Sequence, residues 1–246
     1  MSLIEVKNLT VGYEKETVLK NVNFSVSKGE VFGILGGSGS GKSTLLKHMI
    51  GLYTPIKGSI YINDLNIAEA GIEEKREISK KFGVLYQSGA LFSSMSVLEN
   101  IILPIMEYTS LPVALARSLA ALKLSMVGLK GYEDYMPSEL SGGMKKRAAL
   151  ARAMALDPEI LFFDEPSAGL DPVTSVNLDK LILDLKKKLS ITIVIVTHEM
   201  ESVFSIADRI IILDKSVKGI IAEGKPEELR FNSNNEFVRK FLNREI

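Results

Sequence analysis

Residues 36–43 read Gly-Gly-Ser-Gly-Ser-Gly-Lys-Ser and fit the pattern G-x-x-x-x-G-K-[ST] at every fixed position. In such a loop Gly36, Gly37, Gly39 and Gly41, with Ser38 and Ser40 between them, let backbone N–H groups curl around phosphate oxygens where a β-carbon would obstruct them. Lys42 can reach β and γ phosphates, and the Ser43 hydroxyl can ligate Mg²⁺. A helix opening at Lys42, with Thr44 in its first turn, adds its positive N-terminal end. A flexible Ser/Gly linker would need neither the apolar run that precedes this loop nor the helical pattern that follows it.

The stretch ILFFDEPSAGLD (160–171) sets two carboxylates, Asp164 and Glu165, at the end of another apolar run. Adjacent residues at a strand end diverge, so the pair can divide the work. Asp164 suits outer-sphere or direct coordination of Mg²⁺, and Glu165 suits polarising an attacking water. His198 closes VIVTH, again at a strand end, where a neutral imidazole could hold a γ-phosphate or the attacking water in line. Gln87 follows FGVLY and offers an amide to Mg²⁺ or water at the same edge. Tyr13, in the turn of TVGY, supplies the flat π surface that an adenine needs. The other histidine, His48, falls inside the first helix and reads as packing or surface.

The segment ELSGGMKKR (139–147) poses a question, because it offers a second anion site far beyond the first. Ser141 followed by Gly142 and Gly143 suggests a backbone nest. Lys145, Lys146 and Arg147 then crowd a helix's first turn, where each opposes the macrodipole by about 0.3–1 kcal/mol. A γ-phosphate over Ser141 and the glycine amides would offset part of that cost. A solvated cationic face is the competing reading, and the preferred one for Lys145 and Lys146.

These residues need a scaffold. VFGIL (31–35), FGVLY (82–86), ILFFD (160–164) and ITIVIVTH (191–198) are continuously apolar, as parallel strands covered on both faces are. Helical patterns over 42–51, 172–188 and 199–207 follow several of them, which predicts a βα-repeating core. LIEVKNLTVGY and TVLKNVNFSVSKGE alternate instead, with a turn at Lys28-Gly29, and predict an antiparallel sheet beside that core. Between about 88 and 156 strand patterns stop, and helical spacing over 97–108, 112–127 and 142–155 predicts a helical insertion. PEELRFNSNNEFVRKFLNREI reads as two short surface helices around a polar turn.

Composition bounds the rest. The chain has 246 residues, 46% hydrophobic and 24% charged, ordinary values for a soluble globular protein. Thirty Lys+Arg balance thirty Asp+Glu, so no overall field draws it to nucleic acid or anionic lipid. With no cysteine, disulfides and thiolate metal sites are excluded, which fits a reducing compartment. Acidic residues come too early for a signal peptide, and no apolar run reaches the ~20 residues that span a bilayer. A cytoplasmic protein is expected, with any membrane role exercised through a partner.

Taken in order, these segments resemble the nucleotide-binding subunit of ABC transporters over essentially the whole chain. Tyr13 matches the adenine-stacking loop, residues 36–43 the Walker A loop, and Gln87 the Q-loop. Leu140–Gly143 match the signature, 160–165 Walker B, 167–171 the D-loop, and His198 the switch histidine. The resemblance implies an α/β fold: a RecA-like P-loop core with an antiparallel β subdomain over about 1–87 and 157–246, and an inserted helical subdomain over about 88–156. It implies ATP and Mg²⁺ as ligands and a head-to-tail homodimer. Each ATP is then held between the Walker A loop of one copy and Ser141, Gly142 and Gly143 of the other. The second anion site is thus half of a different pocket.

A narrower resemblance joins LYQSGALFSSMSVLENI and MPSELSGGM to the ATPases of Mla/MCE-type phospholipid transporters. The usual signature ends in Gln, whereas Met144 stands here and removes an amide that could bond across the interface. The resemblance implies phospholipid transport across a bacterial envelope and a position on the inner face of the cytoplasmic membrane. The implied partners are an integral-membrane permease (MlaE-like), docking near Ser88–Glu99, and an MCE-domain protein. Leu91 and Phe92 are the apolar contacts expected there, with core packing as the other reading for both. Some members extend well beyond the last helix, and a long swapped tail is not expected here. The rival readings are the ATPase of an importer for amino acids or another small solute, and an ABC-type ATPase acting on DNA or ribosomes. The absence of a long heptad run, a zinc hook and a basic stripe argues against the last.

Overall fold

The chain opens with strands β1 (Ser2–Tyr13), β2 (Glu16–Ser27) and β3 (Val31–Gly36), then helix α1 (Lys42–Met49), β4 (Lys57–Ile62), β5 (Leu65–Asn66) and α2 (Ile72–Ser79). Next come β6 (Phe82–Leu85), α3 (Val97–Tyr108), α4 (Val113–Met126), α5 (Gly142–Ala153), β7 (Ile160–Asp164) and α6 (Pro172–Leu189). Last are β8 (Thr192–Val196), α7 (Met200–Ile206), β9 (Arg209–Asp214), β10 (Gly219–Gly224), α8 (Pro226–Asn232) and α9 (Glu236–Asn243). The structure is a computed structural model and describes residues 2–13 and 16–245. It divides into two compact units, one of Met1–Ser79 with Thr192–Ile246 and one of Lys80–Ile191.

The first unit holds two sheets. One is antiparallel in the order β2-β1-β4-β5. In β2 buried Leu19, Val22, Phe24 and Val26 alternate with exposed polar residues, the signature of a sheet with one wet face. In the other sheet β3 runs parallel to β8 and β9, and β10 pairs antiparallel with β9. Every residue of β3 and β8 is buried, as the continuous apolar runs require. Ile34 pairs with Val196, so the carboxyl ends of β3 and β8 lie side by side. The phosphate loop and His198 leave from that shared edge.

Five elements of this unit lie outside the sequence expectation: β4, β5, α2, β9 and β10. The buried run Ile210–Leu213 gives β9 the same all-apolar character as β3. The expected surface character of the last two helices needs correction for α9. Its Val238 and Leu242 are buried in a cluster with Leu35, Met200, Val203, Ile210 and Ile212.

In the second unit β6 and β7 form a parallel pair, Phe82 opposite Ile160 and Leu85 opposite Phe163. Gln87 and the Asp164–Glu165 pair therefore follow adjacent strands at one edge. Helices α3, α4 and α5 pack on one another, burying Ile101, Ile105, Ala116, Ala120, Leu124 and Ala148. The three helices span nearly the ranges that their spacing predicts.

Candidate functional site

The loop between β3 and α1 is built around backbone that only glycine accepts. Gly36 has φ +150, and a β-carbon there would lie 2.5 Å from both Leu213 O and Ser40 Oγ. Gly37, Ser38 and Gly39 are exposed at the loop's crest, while Ser40 and Thr44 are buried. The Lys42 ammonium donates to Gly36 O (2.8 Å) and Gly37 O (3.1 Å), folding the side chain back across the loop. Gly41, in a left-handed conformation, precedes α1, whose first backbone bond runs from Leu45 N to Gly41 O at 2.8 Å. Ser43 is half-buried in the first turn. The result is a glycine-rich loop crossed by a cation, with a helix N-terminus behind it, which suits a polyphosphate.

Tyr13 belongs to the same unit and is tied to that helix, its hydroxyl and Thr44 Oγ1 sharing a hydrogen bond of 3.2 Å. The residue is 41% exposed, and its ring meets that of Tyr53 edge-on, with centroids 5.6 Å apart. Tyr53 in turn lies 5.6 Å from the His48 ring. Sequence reasoning passed over Tyr53. His48 itself is buried, which settles its reading as packing. Its Nδ1–H donates to Thr44 O at 2.7 Å, and Nε2 has no hydrogen-bond partner among the described residues. Burial holds its pKa below the usual histidine value, against the raising effect of the Thr44 carbonyl. His198 stands exposed two residues beyond the end of β8, and buried Thr197 before it accepts from Glu199 N through Oγ1 at 3.0 Å.

In the second unit an open cleft of about 540 Å³ is lined by Tyr86, Gln87, Ser88, Asp164, Ala168 and Gly169. The cleft brings Gln87 and Asp164 together, both at strand ends. Glu165 is buried and takes φ +49, a left-handed conformation costing a non-glycine residue of order 1–3 kcal/mol. The two adjacent carboxylates thus occupy different environments. Burial, with the Asp164 charge adding to it, raises the Tyr86 pKa, while the Arg152 charge opposes the rise.

Ser141–Gly143 are placed differently from the expected nest. Gly142 and Gly143 are the first two residues of α5, and Ser141 is its N-cap, with Oγ accepting from Met144 N at 3.3 Å. A capped helix start replaces the nest, since neither glycine has the positive φ that a nest alternates. Amide donors still face outward there, because the first turn of any helix leaves them unpaired. Ser141 and Gly142 are exposed.

Lys146 overturns its expected solvated role. It is only 6% exposed, and its ammonium donates to Gln87 O at 2.5 Å and to Glu165 O at 3.3 Å. Further along α5, Arg152 donates to Ala90 O (2.7 Å) and Gly89 O (3.1 Å). Burial holds its pKa below the usual guanidinium value, against the raising effect of Tyr86. Asn100, wholly buried in α3, accepts from Phe92 N at 2.8 Å. Its amide donates to Phe92 O (3.1 Å), Met95 O (3.2 Å) and Ser96 O (2.9 Å). The loop after Gln87 is therefore a shaped structure, with Phe92 left 49% exposed and Leu91 half-buried. Charged and amide side chains at helical positions look solvent-facing in sequence, which is why Lys146 reads there as solvated and why Arg152 and Asn100 escaped notice.

Residues 19–168 match the ABC transporter family. The chain belongs to that family. It is an ABC ATPase subunit, binding and hydrolysing ATP for a transporter. It is 46% identical over 229 residues to the intermembrane phospholipid transport system ATP-binding protein MlaF of Haemophilus influenzae, covering 93% of this chain and 86% of that one. It is 42% identical over 240 residues to the probable ribonucleotide transport ATP-binding protein mkl of Mycobacterium leprae, covering 98% and 68%. The ATP-binding cassette MJ0796, solved as a dimer in a post-hydrolysis state with ADP and Pi, is 32% identical with a TM-score of 0.82, covering 90% of this chain and 98% of that one. The fold is accordingly that of the ABC ATPases, a RecA-like α/β P-loop core with an antiparallel sheet and inserted helices. Among the described residues no helix is long and apolar enough to cross a membrane.

Proposed function

We propose that this ABC subunit powers phospholipid movement across a bacterial envelope, working as a homodimer beneath an Mla-type permease, with an MCE-domain protein in the same complex. The carrying observation is the 46% identity to the Haemophilus influenzae phospholipid transport ATPase over 93% of the chain. The shaped loop after Gln87 supports the permease contact, since it presents Phe92 to solvent and α3 adds exposed Leu103 and Met106. In this reading the chain works at the inner face of the cytoplasmic membrane.

In this reading Tyr13 stacks the adenine, while Gly36–Ser43 and Thr44 hold the phosphates with Lys42 on the β and γ groups. Ser141, Gly142 and Gly143 of the facing copy close over the γ-phosphate. Mg²⁺ would be held by the Ser43 hydroxyl, Gln87 and Asp164, and would neutralise charge on the phosphates. The donor set fits that ion, because Mg²⁺ keeps most of its water and takes only one or two carboxylates from protein. Among the described residues no cluster of three acidic or histidine ligands exists to demand a different metal. Glu165 polarises the attacking water and His198 holds it, or the γ-phosphate, in line.

The deciding experiment is purification of the native complex with mass spectrometry of its proteins and lipids. A permease, an MCE-domain protein and phospholipid are expected. Recovery of a periplasmic solute-binding protein, or of ribonucleotide cargo in keeping with the mycobacterial relative's name, would replace the lipid reading. Glu165→Gln is expected to bind ATP and lose hydrolysis.

A further inference from the structure

The structure assigns a positioning role to Lys146, a residue outside the nucleotide-contacting set. Its ammonium is buried, and burying a charge is costly unless its donors are taken up. An aliphatic side chain would fill the same face of α5 without that cost. Among the partners of the ammonium are two backbone carbonyls, those of Gln87 and Glu165. These are the residues on which the reading above rests for Mg²⁺ and water. Glu165 is held in a left-handed turn by these surroundings. Its carbonyl accepts from Lys146 and also from Ala168 N at 3.2 Å, so the backbone of the turn that carries the carboxylate is pinned at two points.

Lys146 also lies on the helix that begins with Ser141–Gly143. A helix is stiff over so short a span, so its capped start and this ammonium move together. We infer that Lys146 couples the two: contact at the start of α5 sets the backbone of Gln87 and Glu165 in the same subunit. The γ-phosphate of one pocket, gripped by Ser141, then governs the carboxylate that serves the other. This rests on the proposed roles of Ser141, Gln87 and Glu165.

The test uses the full-length protein and steady-state ATP hydrolysis. Lys146→Met should lower kcat by about 10- to 100-fold and leave KM for ATP within about twofold, with an unchanged melting temperature. Lys146→Gln, which restores a neutral donor, should recover part of that loss. In the Lys146→Met background Ser141→Ala should cost far less than it does alone, since the two belong to one linkage. Wild-type kcat in folded Lys146→Met, or full additivity with Ser141→Ala, overturns the inference. If the Met variant does not fold, Lys146→Leu decides, and wild-type kcat in it is equally fatal. Glu165→Gln is the control: if it hydrolyses ATP normally, the site reading has failed rather than the role of Lys146.

Discussion

Gly143 sits so close to Thr174 that a β-carbon on the glycine would lie 2.5 Å from Thr174 Cγ2. The first turn of α5 therefore packs on the first turn of α6, where Asp171 caps Thr174 N at 3.0 Å and accepts from its hydroxyl at 2.5 Å. The second glycine of the signature is a packing requirement, apart from the phosphate contact proposed for it.

Gly143→Ala should destabilise the protein by about 1–3 kcal/mol through overpacking, less roughly 1 kcal/mol for alanine's better helix propensity. Combined with Thr174→Ser, which removes the offending methyl and keeps the hydroxyl, the same change should become neutral or stabilising. Denaturant melts of the two single variants and the double variant decide. If Thr174→Ser brings no relief, the close approach is not what selects glycine.

Tyr13→Ala should weaken ATP binding by about 1–3 kcal/mol, the usual worth of one base on an aromatic face. Tyr13→Phe keeps the ring and loses only the bond to Thr44, so it should bind within a few-fold of wild type, about the value of one neutral hydrogen bond. Titration calorimetry with the slowly hydrolysed nucleotide measures both. Equal affinity in the alanine variant would move the adenine elsewhere.

Asn100→Leu removes one acceptor and the donors to three carbonyls in the loop from Phe92 to Ser96. Each group left buried and unpaired costs about 1–3 kcal/mol, so a loss of at least about 2 kcal/mol in stability is expected. Because that loop carries Phe92, stimulation of hydrolysis by the permease should fall more than basal hydrolysis does. A uniform loss of both would remove the loop from the docking surface.

His48 predicts a pH dependence. Its folded pKa is lowered, chiefly by burial, so the unfolded chain binds the proton more readily. The stability that neutral His48 contributes is complete above its ordinary value near 6.5 and is lost as pH falls below it. Melting temperature should drop between about pH 7 and 5 in the wild type, and His48→Leu should flatten that slope. Parallel slopes would mean that other groups carry the acid sensitivity.

The phosphate loop, the strand-end residues and the three inserted helices were legible because each rests on local signals: fixed glycine spacing, continuous apolar runs, helical periodicity. The nest reading of Ser141–Gly143 failed because a glycine pair is compatible with both a nest and a helix start, and only the Ser141 cap and the packing on Thr174 choose between them. Lys146 reads as solvated and Asn100 passes unnoticed for a different reason. A lysine beside Lys145 and an asparagine within LEN look solvated until the helix is seen to bury that face, and their partners are backbone carbonyls with no sequence signature. Strand β9 shows that even a plain signal, the run Ile210–Leu213, is easily passed over when no chemistry follows it.

The first unit is made of the two ends of the chain, and that has a consequence during synthesis. Strand β3 emerges early, yet its neighbours are Ile193–Val196 and Arg209–Leu213. At roughly 5–20 residues per second a ribosome takes on the order of ten seconds or more to deliver them. Throughout that wait a fully apolar strand has no lasting neighbour, while the continuous stretch Lys80–Ile191 can already assemble. The half that carries the phosphate loop is begun first and finished last, so nascent chains stalled before β8 should be the ones that chaperones hold.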